Sequence, residues 1–150
     1  MTTGGETPKP KGAARAKGVF TATVTESGST RTIAWKLTFS GLSGKAMAAH
    51  IHKGKPGVAG AVIVPLCGPC KSGQTGKVKI TKNVADALEH GLSYVNVHTA
   101  KNMAGEIRGQ VRFTGHSGDD GAGSSNGPAT TAPTITDPMP DPGGGYGQGY

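Results

Sequence analysis

Residues 32–42, TIAWKLTFSGL, place Ile33, Trp35, Leu37 and Phe39 on every second position, with Lys36 and Thr38 between them. Successive strand side chains point to opposite faces, so this spacing describes a β-strand with one dry and one wet face. On a helix the same residues would scatter around the axis. The pattern recurs along the chain. VFTATVTE (19–26) alternates Phe20, Ala22 and Val24 with Val19, Thr21 and Thr23. AVIVPL (61–66), KVKIT (77–81), SYVNVHT (93–99) and EIRGQVRF (106–113) continue it, with Val95, Val97, Ile107 and Val111 directed inward. Glycine-rich turns separate these runs at the short intervals of a sandwich or barrel, so the expected fold is an all-β antiparallel β-sandwich. One segment breaks the alternation. NVADALEHG (83–91) spaces Val84 and Leu88 four apart, which predicts a short helix over about 83–90. Asn83 is its expected N-cap, His90 a C-terminal cap favoured by the helix dipole, and Gly91 the stop.

The alternation occupies only the middle of the chain. From Thr114 to Tyr150 there are ten Gly, five Pro and no Lys or Arg. That stretch cannot bury enough surface to offset the entropy of ordering, and it is expected to be a disordered Gly/Pro/Thr-rich tail. Its last residues place Tyr146 and Tyr150 around GQG, either a self-associating sticker or simply an unstructured end. Residues 1–17, rich in Gly, Pro and Lys, read as a flexible N-terminal segment, which leaves 18–113 as the folded domain. Charge divides along the same line. All sixteen Lys and Arg precede residue 114, with five acidic residues among them, a surplus of eleven positive charges. The lysines are spread through turns and strand faces rather than clustered with aromatics, so no specific nucleic-acid site is expected. An anionic cell-envelope polymer or a protein is the candidate partner. No run approaches the roughly 18 apolar residues of a membrane span. No signal peptide opens the chain, so in an exported protein Met1 would follow a removed leader.

Cys67 and Cys70, in LCGPC, are the only two cysteines. The spacing is that of a thioredoxin-type dithiol, but such a thiolate needs a helix N-terminus behind it, and KSGQTGKVKI supplies glycines and then a strand. A structural zinc site would need further ligands close by. The remaining reading is a disulfide that rigidifies the loop between two strands and implies an oxidising compartment.

The chemistry that is left lies in AAHIHKGKPGVAG (48–60) and YVNVHTAKNMAGEIRGQV (94–111). Residues two apart on a strand share a face, so His50 and His52 point one way and Tyr94, Asn96 and His98 another single way. If these strands meet, three imidazoles converge. Neutral imidazole suits copper and zinc, which makes His50, His52 and His98 a candidate metal site. The alternative is that His50 and His98 donate to backbone carbonyls or to Glu106 and tie the sheets together. His116 lies in the tail and is expected to be solvent-exposed. In GEIRGQV, Glu106, Arg108 and Gln110 share the face opposite Ile107 and Val111. With Asn96 they are expected to form a structural polar ladder, Glu106 pairing with Arg108 or His98. One carboxylate without a second acid or an activated nucleophile gives no recognisable hydrolytic pair, so no catalytic residue is assigned.

His-Ile-His followed by Lys-Gly, then YVNVHT and GEIRGQV, resembles the CHRD domain, first described in chordin and common in bacterial exported proteins. The resemblance spans about residues 18–113. It implies an immunoglobulin-like, superoxide-dismutase-like sandwich in a secreted or cell-envelope setting, acting as a binding or structural module without an established reaction. A second resemblance, confined to His50, His52 and His98, is to the copper-binding strands of copper-zinc superoxide dismutases. It implies a copper or zinc cofactor, while the bridging histidine and the remaining zinc ligands have no counterpart here.

Overall fold

A computed structural model describes residues 1–12, 14–114 and 134–135. The alternating runs are strands, arranged as two antiparallel sheets. One has the order β5-β2-β1-β8 and the other β4-β3-β6-β7, with β1 Lys17–Ser27, β2 Thr30–Ser40, β3 Ala46–Lys53, β4 Val62–Cys67, β5 Gln74–Ile80, β6 Ser93–Thr99, β7 Ile107–Gln110 and β8 Thr134–Ile135. β8 pairs with β1 at Phe20 and Thr21. Apart from Thr114, the rest of the expected disordered tail, with His116, Tyr146 and Tyr150, lies outside the described residues.

Each inward face is the one the alternation marks. Phe20, Ala22 and Val24 of β1 and Ile33, Trp35 and Leu37 of β2 meet Ala49, Ile51, Val64, Val95, Val97, Ile107 and Val111 in a single buried cluster. Burying side chains of this size stabilises by roughly 1.5–3 kcal/mol each. Trp35 needs a specific gap: its indole lies against Gly76, its partner in β5, where an added Cβ would come within 2.5 Å of the ring. A side chain there would push the indole off its strand neighbour, an overpacking cost of about 1–3 kcal/mol.

The helix, α1, spans Lys82–Glu89 and carries the chain from β5 in one sheet to β6 in the other. Its start corrects the sequence reading: the N-cap is Thr81, whose hydroxyl accepts from the Val84 N–H, and Asn83 falls inside the first turn. Two residues of the set favoured at caps stand close together, and burial of Ala85 and Leu88 selects the register. His90 is the C-cap.

A larger difference concerns the opening residues. Residues 1–17 were expected to be loose, yet Met1 and Glu6 are buried. Thr2 pairs with Lys17 on one side and with Arg108 on the other. It bonds Arg108 in both directions, at 3.0 and 2.9 Å. Further on, Lys11 N donates to Asn102 Oδ1 and Lys11 O accepts from Asn102 Nδ2. Backbone pairing, which composition does not reveal, holds this segment across the seam between the sheets.

Candidate metal centre

β3 and β6 are neighbours at the centre of their sheet. Their register sets His50 opposite Asn96, His52 opposite Tyr94 and Ala48 opposite His98. Ala49, Ile51, Val95 and Val97 are fully buried, which commits the alternate positions to the outer face. His50, His52 and His98 therefore come together as the spacing predicted. One ligand atom from each lies within 4.8 Å of the others, and His50 Nδ1 is 3.2 Å from His98 Nε2.

Two of the rings are oriented from behind. His52 Nδ1 donates to Gly60 O at 2.8 Å, and His98 Nδ1 donates to Met103 O at 2.9 Å. A proton fixed on Nδ1 leaves the lone pair on Nε2, the tautomer a ligating histidine adopts when a carbonyl holds its other nitrogen. The carbonyl role foreseen as an alternative to ligation is thus present at His98, while His50 bonds His98 instead and His52 has a carbonyl of its own. His52 Nε2 is buried with no hydrogen-bond partner among the described residues. Burial, with the neighbouring imidazoles adding to it, holds His50 below the ordinary imidazole pKa. Burial also lowers His98, outweighing the Met103 carbonyl. Both rings are neutral at physiological pH, as metal ligation requires.

The support for these rings joins side chains the sequence placed on the strand faces to loop groups it did not single out. Tyr94 stacks on His52 at 4.9 Å and 10°. Its hydroxyl accepts from Gly60 N at 3.1 Å, so Gly60 grips both members of the stack. The Arg108 guanidinium lies 3.3 Å from the Tyr94 ring centre and donates to Lys55 O at 2.8 Å. Gln110 donates to Gly54 O and Gly91 O. Under the turn that carries Met103, Glu106 accepts from Ser43 N, Ser43 Oγ, Thr99 Oγ1 and Asn102 Nδ2. Burial would raise the Glu106 carboxyl, but these donors outweigh it and hold it below the ordinary carboxylate range.

The expected pairing of Glu106 with Arg108 or His98 is therefore corrected. Glu106 faces the Ser43 loop, Arg108 faces Tyr94, and Asn96 donates to Ala104 O at 3.4 Å. Facing strand positions locate these groups, but their partners come from distant loops. The cysteines are not members of the imidazole cluster: Cys67 ends β4 and its sulfur lies 2.09 Å from that of Cys70, at disulfide distance.

A family model for the CHRD domain matches residues 1–111. The chain belongs to the CHRD family. The match begins with the opening residues, in keeping with their place in the seam between the sheets. No curated protein and no solved structure matches the chain. Within this CHRD domain the three imidazoles are the only group of three or more His, Cys, Asp or Glu side chains placed to hold a metal, among the described residues. Three neutral nitrogen donors with no protein carboxylate among them leave coordination positions for a further ligand.

Proposed function

We propose that this CHRD domain is an exported, non-catalytic binding module that holds a copper or zinc ion through His50, His52 and His98. Family membership supports a binding or structural role in an extracellular setting. The cysteine pair at disulfide distance is consistent with export, since such pairs persist in oxidising compartments. The observation that carries the metal reading is the orphaned Nε2 of His52, buried beside two further imidazoles that each bring a ligand atom within 4.8 Å of the others. A buried polar atom without a partner is uncommon and calls for one. A thiol–disulfide oxidoreductase has less support, because the residues after Cys70 form a turn and then β5 rather than a helix.

Chelator-treated protein titrated with zinc and with copper tests this. One ion per chain is expected, with affinity well below micromolar, and with single alanine substitutions at His50, His52 and His98 each weakening it. Millimolar affinity, or binding that survives loss of all three imidazoles, would overturn the reading. The proposed macromolecular partner is an anionic envelope polymer, attracted by the positive surplus of the folded part.

A further inference from the structure

Three imidazoles do not by themselves choose between zinc and copper. The turn beside them does. Met103 is 82% exposed, the most exposed large apolar side chain among the described residues. A loose turn would explain that, but this turn is pinned. Asn102 N donates to Thr99 O, Gly105 N to Asn102 O, Asn96 Nδ2 to Ala104 O, and the Asn102 side chain is bonded to Lys11, Ser43 and Glu106. What remains free is one unbranched thioether arm on a fixed base. The base adjoins the site, because the Met103 carbonyl holds the Nδ1 side of His98 whose Nε2 faces the cluster.

The charges point the same way. No carboxylate or thiolate belongs to the cluster, and the folded part already carries its surplus of positive charge. A monovalent ion among neutral ligands costs less to hold there than a divalent one. Thioether sulfur is a soft donor that selects copper(I) over zinc, and the flexibility of methionine lets it fold over a neighbouring site.

Building on the three-histidine site proposed above, we propose that Met103 closes over it as a fourth, soft ligand and that the ion held is copper(I). In the metal-free chain His98 Nε2 accepts the Nδ1 proton of His50 across 3.2 Å. Copper takes the place of that proton, which moves to His50 Nε2 or to solvent, so both facing nitrogens become ligands.

The test compares wild type with Met103→Leu, which keeps the apolar bulk and removes the sulfur. Met47→Leu serves as control, since Met47 is also exposed but lies in β3 rather than in the turn whose carbonyl orients His98. Under anaerobic conditions, competition with a chromophoric copper(I) chelator should show M103L binding copper(I) at least about tenfold more weakly. Zinc affinity should stay within about twofold, and M47L should match wild type. X-ray absorption of the copper(I) form should show one sulfur neighbour that M103L loses. If both metals bind through the histidines and M103L changes neither copper(I) affinity nor the absorption spectrum, the methionine proposal fails and the three-histidine site stands. If wild type binds neither metal, both fail together.

Discussion

Two buried carboxyls show how residue context decides protonation. Glu106 and Glu6 are both buried, but Glu106 is surrounded by donors while one oxygen of Glu6 has no hydrogen-bond partner among the described residues. Burial therefore dominates at Glu6 and raises its pKa to about 7, with Arg108, Asn96 and the Thr7 backbone pulling the other way. In the unfolded chain this carboxyl ionises near the ordinary value, so between about pH 4.5 and 7 the folded state binds more protons, and stability falls as pH rises. Glu106 has the opposite sign: its contribution is present above the ordinary carboxylate pKa and is lost as acid titrates it. The lowered pKa values of His50 and His98 likewise favour the fold as pH rises, so the wild-type curve mixes opposing slopes. Glu6→Gln isolates one of them. Relative to wild type, the variant should gain on the order of 2–3 kcal/mol between pH 5 and pH 8 in denaturant melts. A constant difference across that range would show that Glu6 is ionised in the fold.

At the scale of elements, the loop from β3 to β4 is the most exacting part of the centre. An added Cβ at Gly60 would sit 1.6 Å from Lys53 O. Gly60→Ala must therefore displace the loop, and with it the carbonyl that orients His52 and the amide that bonds Tyr94. Zinc affinity is expected to fall by about 10–100-fold, as when other groups supporting a ligand are removed, with circular dichroism unchanged. Unaltered affinity would mean that His52 ligates without that carbonyl. The sequence made β1, β2, β5 and β6 legible because two-residue periodicity is a local property, and the His50, His52 and His98 triad followed from period plus the assumption that β3 and β6 are neighbours. Asn96, Glu106 and Arg108 were placed on the outer side, but their partners depend on how loops 41–45, 54–61 and 99–105 close in space. No local pattern states that Ser43 will reach Glu106, or that Met103 will turn its carbonyl to His98. The helix was legible as an element and not in its first residue, because Thr81 and Asn83 both suit a cap and burial of α1 decides between them.

For the molecule as a whole, the positive surplus is spread over the strand surfaces. Lys36, Lys77 and Lys79 are exposed on the adjacent strands β2 and β5, and β5 contains no acid. Binding to a soluble polyanion such as polyglutamate should weaken steadily with added salt, because screening shortens the reach of exposed charges to about 8 Å at physiological ionic strength. Lys77→Glu together with Lys79→Glu should lower retention on a polyanion column while leaving zinc binding intact. Retention that ignores salt would remove the electrostatic partner. The N-terminal segment also acts at this scale, since Thr2 joins β1 of one sheet to β7 of the other. Its hydrogen-bonding partner at Arg108 is among the last parts of the domain to be synthesised. A ribosome must therefore deliver nearly the whole domain before its first residues can be held on both sides, and until then they have only β1 to pair with. Closure joins contacts from opposite ends of the sequence, so assembly should be slow for a chain of this size and most vulnerable to clumping just before it completes.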